Sequence, residues 1–305
     1  MVQNDLILYV ATAKQECYDK AQQSAVIQAN QFFHELRKGS SLPLLVGGDD
    51  GNTYVVKLNG AGDGVLASVV EWVASKLGGL LQIPVLQPVF VNIDASFAEQ
   101  AGDPETRVLL EKSVGINLGT AYLPDASSYS ERYAQRLDEF LKQQIFLFDV
   151  FLLNVDRTDV NSNMIVHNGK LWCLDYSSSL AVRSSIIREP YREHVILKCL
   201  KRHPFYSQDH EPYGFIKDLK EIPDTSIREI VDSIPTEWID NLKVGKNNAE
   251  SRRTITGKLI DKKQHGIALR NRLDLLKVLK VETAEEASSR SDANRKTFEQ
   301  KWGKL

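Results

Sequence analysis

The sequence predicts an α+β fold in two lobes, a small β-rich N-terminal lobe and a mainly helical C-terminal one. Three observations point there. Short apolar runs broken by turn residues fill much of the stretch up to residue 124. A long helical pattern, Tyr133 to Leu153, ends in an Asn/Asp-rich loop that leads into a hairpin. From Tyr191 onward the spacing of apolar residues is mainly helical. The expected organisation is a helical extension over 1–38, the β-rich lobe over 39–124, the helical lobe over 125–281 and a polar, mobile tail over 282–305.

In chain order, residues 12–38 show helical spacing with Val26, Ile27, Phe33 and Leu36 on the apolar side. Lys38-Gly39 then supplies a basic last turn and a stop. Leu44 to Val46 and Thr53 to Leu58 flank Gly47-Gly48-Asp49-Asp50-Gly51-Asn52, turn chemistry that makes them a β-hairpin. Gly60 to Gly64 is a flexible loop. Leu66, Val69, Val70, Val73, Ala74 and Leu77 keep helical spacing as far as Gly78-Gly79. Val85 to Ile93 reads as a strand, 94–112 as helical or irregular, and Gly115 to Leu123 as extended. Met164 to Val166 and Leu171 to Leu174 flank His167-Asn168-Gly169-Lys170 as a second hairpin. The closing stretch, rich in Glu, Ser, Arg and Lys, reads as the mobile tail.

At 305 residues, 42% of them apolar and 26% charged, the chain can bury a core large enough for two lobes. Lys and Arg number 38 against 40 Asp and Glu. No overall positive field exists to hold a nucleic-acid backbone, so no nucleic-acid partner is expected. The start lacks a basic segment, and its apolar run from Leu6 to Ala11 is too short for a signal peptide. The run from Gln144 to Leu153 carries Asp149 and is too short to span a bilayer. Cys17, Cys173 and Cys199 have no CxxC or metal-ligand spacing and read as reduced, mostly buried thiols. A cytoplasmic protein with no membrane partner is expected. The six histidines are scattered, and Trp72, Trp172 and Trp238 read as core.

The chemistry concentrates in Asn154-Val155-Asp156-Arg157-Thr158-Asp159-Val160-Asn161-Ser162-Asn163, followed by a hairpin and Asp175. An Asp at a helix end, an Asn where a strand begins and an Asp past the hairpin offer a proton acceptor and hard oxygen ligands for Mg²⁺. Phosphoryl transfer needs that set. Two asparagines compete for the metal role. Asn161 stands five residues after Asp156, whereas Asn163 directly precedes the strand, which fixes where its side chain points; Asn163 is favoured. Upstream, Lys57 has apolar neighbours in its strand and Glu71 is the carboxylate of the following helix, a pair suited to nucleotide phosphates. Gly39-Ser40-Ser41 and Gly60 to Gly64 are the small-residue stretches whose backbone N–H groups could face a phosphate.

Together these segments resemble the stand-alone HipA-like kinases. Val55-Val56-Lys57-Leu58-Asn59-Gly60-Ala61-Gly62 is similar to their "VVKF-G-GxG" segment, and Asn154 to Asn163 to their "NVDRTPRNPN" loop. Leu171-Trp172-Cys173-Leu174-Asp175 resembles "LWLID", Gln82-Ile83-Pro84 the "GLPVP" exit, and Ser113 to Pro124 the segment between the lobes. The resemblance covers roughly residues 40–200 and implies a bilobal protein-kinase-like fold using ATP and Mg²⁺. Lys57 and Glu71 would hold the ATP phosphates beside Gly39, Ser40 and Ser41; Tyr122 and Leu123 would line the adenine side. Asp156 would be the catalytic base, and Asn163 and Asp175 the metal ligands, with Asn161 assisting. It further implies transfer to a hydroxyl, with a protein Ser or Thr favoured; a small-molecule kinase or an interaction module built on a pseudokinase are the alternatives. The same family can carry an autophosphorylated serine in the phosphate loop, which Ser40 or Ser41 would supply unless they simply cap the turn there. The sequence departs from the family at Tyr176-Ser177-Ser178-Ser179, where His-Gly-Ala-Ala is usual.

Overall fold

The computed structural model describes residues 26–36, 42–188 and 191–280. Gly39, Ser40 and Ser41, residues 1–25 and the polar tail lie outside them. The first element among the described residues is strand β1 (Ile27–Glu35), where helical spacing predicted a helix over 12–38. Ile27 and Ala29 turn inward while Val26 and Phe33 stay exposed, so the apolar residues do not form one helical stripe. Register shifts between Ala29 and Gln31 and between Phe32 and His34 interrupt the strand's period of two. The helix prediction is therefore wrong for this stretch, and β1 joins a sheet expected to begin only after residue 39.

β2 (Leu44–Gly48) and β3 (Thr53–Lys57) form the predicted hairpin. Gly51 takes a φ of 79°, and Asp50 accepts from the Asn52 N–H at 3.1 Å and the Tyr54 hydroxyl at 2.6 Å. With β4 (Pro88–Ile93) and β5 (Gly115–Ala121), these strands close into a barrel of order β1-β2-β3-β5-β4. A short parallel pairing of Ile27 with Val91 and Gln28 with Asn92 completes the ring. Leu44, Val46, Tyr54, Val56, Val91 and Ile93 fill its interior.

Helix α1 (Gly64–Leu80) leaves the barrel after two glycines at positive φ, Gly62 and Gly64. It runs past the expected stop at Gly78. A β-carbon there would stand 2.7 Å from a Val85 methyl and 3.1 Å from the Phe148 ring, so this glycine permits close approach rather than ending the helix. A 3₁₀ turn (Ala95–Gln100) and α2 (Pro104–Glu111) fill the stretch predicted as helical or irregular. After β6 (Ser127–Ser128), the single helix expected over Tyr133 to Leu153 is two, α3 (Glu131–Ala134) and α4 (Glu139–Leu152). The Asp138 carboxylate accepts the Phe140 N–H at 3.0 Å, capping a fresh start.

The second predicted hairpin is β7 (Met164–His167) and β8 (Lys170–Cys173), extended by β6 into a three-stranded sheet. Two hydrogen bonds tie it to the chain leaving α1: Cys173 N–H to Pro84 O at 2.7 Å and Leu86 N–H to Cys173 O at 3.1 Å. The remainder is helical, as expected: α5 (Leu180–Ile186), α6 (Glu193–Leu200), α7 (Tyr213–Glu221), α8 (Asp224–Asp232), α9 (Thr236–Leu242), α10 (Asn248–Gln264) and α11 (Gly266–Val278). No helix among the described residues is long and apolar enough to cross a membrane.

One apolar core lies inside the barrel; a larger one runs from α1 through α4 into the C-terminal helices. The outer side of α1 meets α8 and α9 through aromatic rings. Trp72 stacks on Phe90 at 4.1 Å, and Phe90 meets Trp238 edge-on at 5.5 Å. The Trp72 indole donates to Ser233 Oγ at 3.1 Å, and that of Trp238 donates to Ile116 O at 2.9 Å. Trp238 is fully buried, so Trp238→Ala should cost about 3–5 kcal/mol. Guanidinium unfolding measures this, and a loss below about 1 kcal/mol would show that the row collapses to refill the space.

Candidate active site

Alternation along β3 sends Tyr54 and Val56 into the barrel and leaves Lys57 half-buried on the other face. There its ammonium donates to Glu71 Oε2 at 2.6 Å and to Asp175 Oδ1 at 2.8 Å. Glu71 lies on the buried side of α1, and Asp175 follows β8. Burial opposes the charge on Lys57, but the two carboxylates outweigh it and raise its pKa above the ordinary lysine value. Burial pushes Asp175 up, yet the Lys57 ammonium holds it below the usual carboxylate range. For Glu71 burial prevails, and its pKa is raised.

Asp156 lies on the loop between α4 and β7. Asn163 Nδ2 donates to Asp156 Oδ2 at 3.1 Å; Asn161 Nδ2 donates to the Asp156 backbone carbonyl at 3.3 Å, and its side chain also acts on the Asp156 carboxylate. Burial raises the Asp156 pKa, with Asn163 opposing. The Asn163 carbonyl in turn accepts the Leu174 N–H at 2.8 Å, which joins the loop to the residue before Asp175. Lys57, Glu71, Asp156, Asn163 and Asp175 thus converge from four separate segments, with Asn161 at the margin. Tyr122 and Leu123 are elsewhere. Tyr122 N–H pairs with Thr53 O at 2.8 Å, at the end of β3 away from Lys57, and its side chain is exposed.

Three further residues were not singled out from the sequence. Asp149, fully buried in α4, accepts from Arg157 Nε at 2.6 Å, Asn154 Nδ2 at 2.9 Å and the His203 ring at 2.9 Å. Arg157 is buried as deeply, and its guanidinium also donates to the carbonyls of Ser162 at 3.1 Å and Asn163 at 2.6 Å. The signal was present: a carboxylate inside an apolar run must find a partner, because burying a lone charge costs far more than one hydrogen bond returns.

A family model described as HipA-like kinase matches residues 29–265. The chain belongs to the HipA-like kinase family. Among solved structures, the proinflammatory kinase CtkA of Helicobacter pylori is similar at 10% identity and a TM-score of 0.46, over 84% of this chain and 100% of that one. The MAP kinase LmaMPK10 of Leishmania major is similar at 11% identity and a TM-score of 0.26, over 91% of this chain and 88% of that one. No curated protein matches the sequence.

The stretch in which this HipA-like kinase departs from its family has a local rationale. Tyr176 is fully buried, with its ring 4.9 Å from the Arg157 guanidinium carbon and edge-on to Phe148 at 5.5 Å. Ser177 donates to Asp175 Oδ1 at 2.6 Å, the same oxygen that accepts from Lys57.

His203 of the kinase is neutral by geometry. Its Nδ1 accepts the Phe205 N–H at 3.0 Å, so the proton on the ring belongs to Nε2, which faces Asp149. Burial lowers its pKa, despite the nearby Asp149. The unfolded chain, with histidine near its ordinary value of about 6.5, takes up a proton first as pH falls. Stability is therefore lost as pH drops below about 6.5. His203→Gln keeps a donor for Asp149 but cannot titrate, so its Tm should fall less than that of the wild type between about pH 7 and pH 5.5. Parallel Tm curves for the two proteins would mean that His203 does not contribute this loss.

Proposed function

We propose that the protein transfers the γ-phosphoryl group of ATP, with Mg²⁺, to a hydroxyl acceptor, and that the acceptor is a protein Ser or Thr. The single observation that carries this reading is Lys57 held between Glu71 at 2.6 Å and Asp175 at 2.8 Å, with Asp156 joined to the same cluster through Asn163. A charged lysine so anchored suits the phosphates of a nucleotide lying between the barrel and the helical part, which would act as two lobes. Tyr122 and Leu123, where β5 leaves the barrel, suit the adenine side. Gly39, Ser40 and Ser41 are proposed to cover the phosphates.

The donor set fits Mg²⁺. Asp175 offers a carboxylate, and Asn163, whose Nδ2 is spent on Asp156, offers its amide oxygen. Among the described residues no three His, Cys, Asp or Glu side chains gather into a metal site. Two protein oxygens supplemented by phosphates and water are the usual Mg²⁺ arrangement in such enzymes. Bound there, the ion would neutralise charge on the phosphates.

In the reaction Asp156 takes the proton of the acceptor hydroxyl as its oxygen bonds to the γ-phosphorus. The bond to the β–γ bridging oxygen breaks, and ADP leaves. The raised pKa of Asp156 brings it closer to the range of an effective general base. On the loop that carries Asp156, Val160 is 80% exposed. Asp159 anchors that loop through Arg202, at 2.8 Å.

Asp156→Asn should bind ATP as before and lose transfer by about 10²–10⁴-fold; wild-type turnover in a labelled-ATP assay would remove Asp156 from the role of base. Asn163→Ala should raise the Mg²⁺ requirement roughly tenfold or more, and Asn161→Ala by much less. A Mg²⁺ titration of the two variants decides between the asparagines, and the reverse ranking would move the ligand to Asn161.

A further inference from the structure

We infer that Arg157 is the positioning residue for both metal ligands, aiming Asn163 and Asp175 together from beneath the site; this rests on reading those two residues as the Mg²⁺ ligands. Both have left-handed backbones, with φ of 47° at Asn163 and 53° at Asp175. Neither is a glycine, so something must hold each in place.

Arg157 supplies the hold. Its Nη1 donates to the carbonyls of Asn163 at 2.6 Å and Ser162 at 3.1 Å, and Nη2 faces the Leu174 carbonyl at 3.4 Å. Because a peptide unit is planar, fixing the Asn163 carbonyl fixes the plane that follows Asn163. Fixing the Leu174 carbonyl fixes the plane that precedes Asp175. The Leu174 N–H, one peptide plane earlier, donates to the same Asn163 O at 2.8 Å and brings the chain before Asp175 alongside the Asn163 plane. One rigid guanidinium therefore sets a backbone torsion at each ligand.

The remainder of the network keeps that guanidinium still. Asp149 takes its Nε at 2.6 Å, and Asn154 and His203 hold Asp149 in turn. Tyr176 covers its face. A buried ion pair is a poor source of stability compared with an apolar pair of the same volume. What it offers, and an apolar pair cannot, is a fork of directed donors.

The test is calorimetric binding of β,γ-imido-ATP with and without Mg²⁺, on wild type and on Arg157→Lys, which keeps the cation but not the fork. Groups that orient metal ligands typically govern about 10–100-fold of metal affinity, so the Mg²⁺-dependent gain in nucleotide affinity should fall by that factor while metal-free binding stays within about twofold. An undiminished Mg²⁺-dependent gain in the folded variant overturns the inference and leaves the site reading intact. Should Arg157→Lys not fold, Arg157→Met combined with Asp149→Asn removes both buried charges together, and the same loss is expected of it. A wild-type protein whose affinity ignores Mg²⁺ removes the metal-site reading itself, and this inference with it.

Discussion

Like charges repel, and the carboxylates of buried Glu71 and half-buried Asp175 are brought to one point only because a lysine ammonium stands between them. Lys57 is 2.6 Å from the first and 2.8 Å from the second. The three residues come from a barrel strand, a helix and the segment after a separate hairpin. Each element must therefore sit where the ion triplet requires. The backbone bonds between Pro84, Leu86 and Cys173 make this possible, because they seat β8 against the chain leaving the Glu71 helix. Proximity of like charges is destabilising unless a counter-ion is fixed nearby, and here the counter-ion is itself held by the strand's alternation.

Beneath this polar layer lies a second one with the same logic. Asp149 and Arg157 neutralise each other with no exposure to water, and His203 adds a hydrogen bond without adding a charge. The upper layer faces the space where a nucleotide would lie; the lower faces the backbone of the loop that shapes that space. The family to which the chain belongs is defined by its sequence, whereas the vertical relation between these layers appears only in three dimensions.

Much of the site was legible because its residues stand where local rules act. Lys57 follows from strand alternation, Asn163 from its place just before β7, and Asp175 from its place after a hairpin marked by Asn168-Gly169. Asn163, favoured over Asn161 from its place before the strand, donates to the Asp156 carboxylate at 3.1 Å, while Asn161 donates to the Asp156 carbonyl at 3.3 Å. Strand β1 was not legible, because its two register shifts disrupt the period on which strands are recognised, and its partners lie up to 64 residues away in β4. The break before α4 was missed because one aspartate cap outweighs continuing apolar spacing. Arg157 and His203 were passed over for another reason. Nothing in a linear pattern says that a charged side chain will be wholly enclosed, and only the packing of α4, the loop and the segment after α6 encloses them.

The closed barrel carries a consequence for how other molecules can be met. An open sheet offers a row of free N–H and C=O groups that any extended chain can join. Here β1 and β4 spend those groups on each other, however briefly, and each also pairs along its other side. In the smaller sheet β6 is only two residues long, and β8 is flanked by the Pro84 to Leu86 backbone. Beyond Gln28 the outer side of β1 is met by the Gln100 side chain, which accepts the Phe32 N–H at 2.9 Å and donates to the Asn30 carbonyl at 3.4 Å. An extended chain seeking main-chain pairing with the described strands would first have to displace these contacts.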